Sequence, residues 1–167
     1  MEPRIQYAKT SDGVNIAYCV AGEGSALLWL WSPPWSHVQL DWETVSSHIF
    51  QPLAKNQRFV WFDWPGTGLS DRDSFDFSME AMTRVIETVG ARTGLEKFSL
   101  CAVLGAVPIA LTYAAQWPER ISRPHLCGRL DTAFRFPAVG DLAGGEGAAE
   151  SRLGHLFGDF RKGADGI

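Results

Sequence analysis

The sequence has no apolar run that approaches the roughly 20 residues needed to cross a membrane. Residues 1–10 also contain no apolar segment of the kind found in secretory signals. A strong excess of charge is absent too, since the net charge at pH 7 is −4. This charge gives no electrostatic reason to expect nucleic acid or an anionic membrane as a partner. We therefore expect a cytoplasmic protein with no nucleic acid and no membrane as partner.

Cysteine is scarce as well. The chain has three cysteines, Cys19, Cys101 and Cys127, each within an apolar run. Their wide spacing excludes a compact metal-binding knuckle, and their apolar surroundings favour buried free thiols in a reducing compartment.

The glycine-rich turn at residues 63–68 is not followed by the lysine of a phosphate-binding loop. We predict no metal and no other cofactor.

The sequence does contain an alternation of strand-like and helix-like segments. An Asp12-Gly13 pair between two short apolar runs predicts a β-hairpin over residues 4–20. Further strands are predicted at residues 26–30, 59–62, 98–103 and 121–126, and helices at residues 42–54, 78–93 and 108–117. This order predicts an α/β fold: a mostly parallel sheet with an N-terminal β-hairpin and helices on both faces.

The composition changes near residue 130. Residues 131–167 hold eight of the seventeen glycines and no strand-like run. We predict a partial domain over residues 1–130, followed by a Gly/Ala-rich tail over residues 131–167. The tail is expected to be partly disordered or to form one short helix, with apolar residues on one face: Leu153, Leu156, Phe157 and Phe160.

Two strings carry a resemblance to a known family. The first is Asp63-Trp64-Pro65-Gly66-Thr67-Gly68-Leu69-Ser70-Asp71-Arg72, which directly follows a predicted buried strand. The second runs from Phe98 to Pro108 and is followed by Pro118-Glu119-Arg120. Together they resemble the α/β-hydrolase superfamily, which has a D-x-x-G-x-G-x-S-D turn and a G-x-S-x-G nucleophile elbow at corresponding places. The resemblance covers residues 5 to about 127.

This resemblance implies that position 104 is the nucleophile position of the elbow. Alignment places Ala102, Leu104 and Ala106 at the Gly, Ser and Gly positions. Leucine has no heteroatom, so no acyl-enzyme can form there. A bulky residue held at positive φ costs about 1–2 kcal/mol, which is tolerated where function requires it. We therefore expect Leu104 to fill the pocket as an apolar plug, or the turn to be relaxed.

The resemblance also implies that the rest of the catalytic machinery is incomplete. In this family the oxyanion hole takes one backbone N–H from the residue after the nucleophile, here Gly105. The second comes from the loop after an early strand, where Pro33 has no N–H to give. The triad Asp and His follow the nucleophile. The histidines after Leu104 are His125, expected to be half-buried and structural, and His155 in the tail. The sequence thus predicts a chain truncated before the triad Asp and His, without ordinary serine-hydrolase catalysis.

Three interpretations of the function stay open. The first is a non-catalytic protein that binds a small apolar molecule or another chain. One such partner is a second copy of this protein, which would form a homodimer through the exposed sheet edge, where Pro124 is tolerated. The second is a weak or atypical esterase or lactonase that hydrolyses ester bonds with other pocket residues. The third is the product of a frameshifted or degraded hydrolase gene. The pocket candidates are Ser32, Ser36, His37, Asp63, Ser70 and Cys101.

Overall fold

Six strands form one sheet in the computed structural model of the chain, which describes residues 3–44, 46–73 and 76–127. The strands are β1 Gln6–Lys9, β2 Asn15–Ala21, β3 Ser25–Leu30, β4 Gln57–Phe62, β5 Phe98–Val103 and β6 Ile121–Cys127. Their order across the sheet is β1-β2-β4-β3-β5-β6. β1 and β2 run antiparallel to their neighbours, whereas β3, β4, β5 and β6 pair in parallel. The predicted N-terminal hairpin and mostly parallel sheet are confirmed.

The helices are α1 Val38–Glu43, α2 Ser47–Asn56, α3 Met79–Arg92 and α4 Val107–Gln116. The prediction of a single helix over residues 42–54 is wrong. Thr44 adopts φ −126° and ψ −101°, which ends α1, and Ser46 precedes a separate second helix. α1 also begins earlier than predicted, because the side chain of His37 accepts a hydrogen bond from the Leu40 N–H and caps the helix.

The apolar residues of the central strands alternate between the two faces of the sheet. On one face, residues of β3 and β4 pack with α3 and α4; this layer includes Leu28, Leu30, Val60, Phe62, Met82, Ile86, Ile109 and Tyr113. On the other face, Trp29 and Trp61 pack with Val38 of α1 and Phe50 of α2. The prediction of helices on both faces of the sheet is therefore confirmed.

The Pro118-Glu119-Arg120 string has a structural role. It forms a short 3-10 turn after α4, and the Arg120 side chain pairs with Glu87 of α3. The same guanidinium donates to the Leu95 carbonyl oxygen at 2.6 Å. Glu87 also accepts the Tyr113 hydroxyl proton of α4 at 2.8 Å. These charge-assisted bonds hold α3 and α4 together on one face of the sheet.

The predicted domain boundary near residue 130 lies just beyond Cys127, the last described residue. The tail predicted for residues 131–167 is outside the described residues, and so is His155. Within the three described ranges, no helix combines the length and the apolar character needed to span a membrane.

Candidate functional site

Three segments meet at the carboxyl ends of the parallel strands, where open α/β sheets place their ligand sites. They are residues 31–37 after β3, residues 63–71 after β4 and the 3-10 turn Leu104–Ala106 after β5. The three segments contain Leu104, Gly105, Pro33 and all the predicted pocket candidates except Cys101. These predicted residues therefore lie together at one edge of the sheet.

Asp63 joins the segment after β4 to the start of α1 through a fully buried carboxylate. One of its oxygens, Oδ1, accepts the Val38 N–H at 2.9 Å, and the other, Oδ2, accepts the Leu69 N–H at 2.8 Å. Burial raises the pKa of Asp63 to about 6, although the N–H bonds from Leu69 and Val38 oppose the shift. Gly68 packs so tightly here that a Cβ on it would lie 2.0 Å from Oδ2. The Asp63 side chain is therefore committed to the architecture of the loops.

Ser36 and Ser70 belong to the same set of contacts. Ser36 Oγ lies 2.6 Å from Thr67 Oγ1 and accepts the Trp64 N–H at 3.1 Å. Ser70 Oγ donates to the Asp63 carbonyl oxygen at 2.8 Å and accepts the Ala17 N–H at 2.9 Å. We call these residues, namely Ser36, Asp63, Thr67, Leu69 and Ser70, the Asp63 network. Its hydroxyls connect backbone segments, and neither serine faces a histidine base in the described contacts.

His37 and Asp41 form a small polar pair at the start of α1. His37 Nδ1 accepts the Leu40 N–H at 3.4 Å, and the His37 backbone N–H donates to Asp41 Oδ2 at 3.2 Å. Burial raises the pKa of Asp41 to about 6, against the opposing effects of the His37 N–H and the His37 side chain. Sequence reasoning missed Asp41. The spacing of four residues within a helix start, which lets the two groups meet, was the available signal.

The elbow keeps its shape although it lacks a nucleophile. Leu104 has φ +48°, and among the described residues it is the only non-glycine residue with positive φ. Its side chain is 62% exposed. The expectation of a relaxed turn is therefore wrong, and Leu104 is exposed at the elbow. The backbone strain typical of a nucleophile elbow persists around a side chain that cannot react.

The backbone donor of the elbow is already engaged. The Gly105 N–H, which follows the nucleophile position, donates to Ser32 Oγ at 3.1 Å. The Pro33 carbonyl oxygen lies 4.0 Å from where a Cβ on Gly105 would stand, so this loop faces the elbow with oxygen atoms. Proline cannot supply the second N–H. The loop that carries Pro33, the residue aligned with the second oxyanion donor, lies beside Gly105 in the structure.

The remaining candidates lie apart from this cluster. Cys101 is 6% exposed on β5. Cys19, on β2, is 1% exposed; burial and then the charge of Asp63 raise the pKa of its thiol to about 12. His125 is exposed on β6, so the expectation of a half-buried histidine is wrong. In the described part of the chain, no group of three or more His, Cys, Asp or Glu residues is arranged to hold a metal ion.

Comparison with known proteins places this geometry in context. A family model of the alpha/beta hydrolase fold matches residues 35–162. An epoxide hydrolase from Bacillus megaterium, solved with an inhibitor, is 23% identical with a TM-score of 0.63, over 74% of this chain and 42% of that one. The esterase RhEst1 from Rhodococcus sp. ECU1013 is 23% identical with a TM-score of 0.63, over 75% of this chain and 45% of that one. A search of curated protein sequences found no match.

A third similar structure is that of a dehalogenase. The haloalkane dehalogenase DatA from Agrobacterium tumefaciens C58 is 19% identical with a TM-score of 0.62, over 74% of this chain and 40% of that one. At these identities the likeness shows the fold. The chain spans about two fifths of the length of the solved structures that it matches.

Proposed function

The chain belongs to the α/β-hydrolase family, and from that premise we propose that it binds a small apolar molecule without ordinary serine-hydrolase catalysis. One observation carries this proposal: Leu104 occupies the elbow with φ +48° and is 62% exposed. The backbone presents the side chain at position 104 as the family presents its nucleophile. Because a hydrocarbon side chain cannot attack a carbonyl carbon, the elbow offers an apolar contact in place of a reactive group.

The oxyanion side of the site supports the same proposal. Stabilising an oxyanion requires free backbone donors aimed at the developing charge. The Gly105 N–H is held by Ser32 Oγ at 3.1 Å, and Pro33 has no donor. Loss of one such donor typically slows catalysis by about 10²–10³-fold. The site therefore lacks electrostatic stabilisation as well as a nucleophile.

The rival function is a weak esterase or lactonase that uses other pocket residues. It needs a hydroxyl or thiol within reach of a base. The hydroxyl oxygens of Ser36 and Ser70 accept hydrogen bonds from backbone N–H groups within the loop architecture. The Nδ1 atom of His37 caps α1. These contacts favour the binding function over the rival.

Hydrolysis of p-nitrophenyl butyrate by the purified full chain separates the two functions. We expect wild type, Leu104→Ser and His37→Ala all to release p-nitrophenol at the rate of buffer with an equal mass of inert protein. Ser122→Ala is the control, because Ser122 is exposed near the start of β6, at the edge of the sheet away from the candidate site. Wild-type turnover that His37→Ala abolishes and Ser122→Ala leaves intact would establish the rival.

The homodimer predicted through the sheet edge remains a second proposal. β6 pairs with β5 alone among the described residues, which leaves its other side as a template for a second strand. Arg123 and Pro124 lie on this strand, and both residue types discourage edge pairing. Light scattering at micromolar concentration tests the dimer, and a mass equal to one chain would contradict it.

A further inference from the structure

A groove of about 560 Å³ lies between β1 and α3, on the face of the sheet opposite α1 and α2. Lys9 of β1 and Ser11 of the turn that follows line one of its walls. The other wall is a single face of α3, whose residues are spaced at i, i+3, i+4, i+7 and i+8; they are Arg84, Glu87, Thr88, Ala91 and Arg92. The volume is in the range of small-molecule sites, roughly 300–1,000 Å³. The groove shares no residue with the candidate site at the elbow.

Positive charge dominates this groove, although the chain as a whole has a net charge of −4. Three cationic side chains and one carboxylate line it, which gives the lining a net charge of +2. The carboxylate is that of Glu87, which pairs with the Arg120 guanidinium. Glu87 also accepts the Tyr113 hydroxyl proton at 2.8 Å. Its charge is therefore neutralised by Arg120, which does not line the groove, and not by the cations that do.

The cations of the groove keep donors for a ligand. Lys9 and Arg92 are both exposed, and within the described ranges neither takes part in an ion pair. Arg84 bonds to Asp12 through one nitrogen, Nη1, at 2.5 Å. Because a guanidinium has five N–H donors, this bond leaves others unused. Both walls of the groove therefore offer cationic donors.

A phosphate group suits this set of donors. Guanidinium groups bind phosphate oxygens through two parallel hydrogen bonds, and a lysine adds a compact positive charge. A phosphate monoester carries a charge of about −1.5 to −2 at pH 7, close in magnitude to the +2 of the lining. A single carboxylate carries less charge and offers fewer acceptor oxygens, so we expect it to bind more weakly.

The extent of the positive surface limits the size of the ligand. Glu80, in the first turn of α3, and Glu96, beyond the end of α3, are both exposed. A long polyanion that followed α3 would therefore meet a carboxylate at each end of the helix. A single phosphate group needs the groove alone.

From these charges we infer that the groove between β1 and α3 binds the phosphate group of a small phosphorylated compound. Arg84 and Arg92 of α3 and Lys9 of β1 hold the phosphate oxygens. This site is separate from the binding function proposed at the elbow, and either can fail without the other, because the two share no residue.

An NMR titration of the nitrogen-15-labelled full chain with ribose 5-phosphate tests the site at constant ionic strength. Ribose, which lacks the phosphate, is the matched neutral probe. We expect ribose 5-phosphate to shift the backbone amide signals of Lys9, Ser11, Thr88 and Arg92 and to leave those of the elbow in place. Ribose should shift none of them. Because this mapping uses wild type, it does not depend on the folding of any variant. No shift at millimolar ribose 5-phosphate, shifts confined to other regions, or equal shifts with ribose would overturn the inference.

Substitution of Arg92 separates a specific site from general attraction to positive charge. We expect Arg92→Gln to weaken ribose 5-phosphate binding by about tenfold, because a charge-assisted hydrogen bond is lost. Arg92→Lys keeps the charge without the guanidinium, so its affinity should fall between the two. Lys55→Gln is the matched control: it removes one exposed cation from α2, on the opposite face of the sheet, and should leave affinity unchanged. Equal weakening by Arg92→Gln and Lys55→Gln would show that net charge alone attracts the anion and would overturn the site.

Two further probes distinguish the source of the phosphate group. Phosphatidylcholine vesicles that contain phosphatidate present it on a lipid headgroup, and a uridine dodecanucleotide presents it in RNA. We expect the full chain not to sediment with the vesicles and to bind the RNA more weakly than ribose 5-phosphate. Sedimentation that Arg92→Gln abolishes would assign the groove to a lipid headgroup, and tighter binding of the RNA would assign it to nucleic acid. Either result would overturn the small-molecule class.

Discussion

The Asp63 network and the elbow lie at the same edge of the sheet, yet they differ in how well residue type suits backbone geometry. In the Asp63 network every hydroxyl and carboxylate oxygen meets a partner, and Gly68 supplies the positive φ of +48° that the turn needs. In the elbow the same φ of +48° falls on Leu104, a residue that gains nothing from it in the described contacts. In the Asp63 network the residue types suit the backbone geometry. The elbow has the backbone geometry of a nucleophile turn but no side chain that can react.

This difference teaches that loop architecture and reactivity depend on separate residues. The Asp63 network fixes the positions of the loops through bonds from Val38 and Leu69, and none of these bonds needs a nucleophile. The elbow turn is set by β5 and α4, which pack on either side of it. A scaffold can therefore retain the shape of a hydrolase site while its side chains serve another purpose.

The largest effect on stability is expected from a substitution in the Asp63 network. Asp63→Ala leaves the N–H groups of Val38 and Leu69 buried without an acceptor. Each unsatisfied group costs about 1–3 kcal/mol, so the free energy of unfolding should fall by about 2–6 kcal/mol at pH 4. Urea denaturation followed by circular dichroism measures this change. Asp73→Ala removes an exposed carboxylate two residues beyond this segment and should change stability by less than about 0.5 kcal/mol.

The pH dependence of that loss sharpens the comparison further. The folded-state pKa of Asp63, about 6, lies above the ordinary value of 3.8, so the folded chain binds this proton more tightly than the unfolded chain. The stability contributed by Asp63 is therefore full below about pH 4 and falls as the pH rises through 6, by roughly 3 kcal/mol in total. The destabilisation by Asp63→Ala should accordingly be smaller at pH 7 than at pH 4. An effect that grows with pH would show that the carboxylate is stabilised by its partners more than burial penalises it.

A smaller effect of opposite sign is expected at the elbow. Leu104→Gly removes the strain of a side chain at φ +48°, but the unfolded glycine chain has more freedom to lose. The two terms leave a net stabilisation of about 0.5–1 kcal/mol. Leu104→Ala is the matched control: the leucine side chain is 62% exposed and alanine carries the same strain, so stability should hardly change. Destabilisation by both variants would show that the Leu104 side chain is packed against something that stabilises the fold.

The smallest effect is expected from restoring the nucleophile. Leu104→Ser places a hydroxyl on the elbow, but Ser32 still holds the Gly105 N–H and His37 Nδ1 still caps α1. Ester hydrolysis should therefore stay at the buffer rate in a p-nitrophenyl ester assay. An increase of about 10²-fold or more would mean that the elbow lacked only its hydroxyl and that its electrostatics were intact.

Much of the sheet could be predicted from the sequence, because its strands are continuous apolar runs. β5 was predicted with its observed bounds, and β3 and β4 differ from prediction only at their first residues. A strand covered on both faces has a continuous apolar sequence, which can be recognised without knowledge of distant residues. The Gly/Pro turn after β4 and the position of Leu104 followed in the same way, since both come directly after a buried strand.

The details of the site could not be predicted, because they depend on contacts between distant residues. The start of α1 depends on the Asp63 carboxylate, 25 residues later in the chain. The bond from Gly105 to Ser32 Oγ spans 73 residues and follows from the pairing of β3 with β5. The residue type of Leu104 shows that it cannot react, but its exposure follows from the direction of the turn, which residue type does not specify.

The central claim is that no serine in the described part of the chain is activated for nucleophilic attack. Intact-mass spectrometry after incubation with a fluorophosphonate, which modifies activated serines, tests the claim most directly. An active serine hydrolase in a parallel tube confirms that the reagent works. The account predicts that the mass of the full chain stays unchanged while the control enzyme gains one adduct. One adduct per chain that maps to Ser32, Ser36 or Ser70 and disappears in His37→Ala would contradict it.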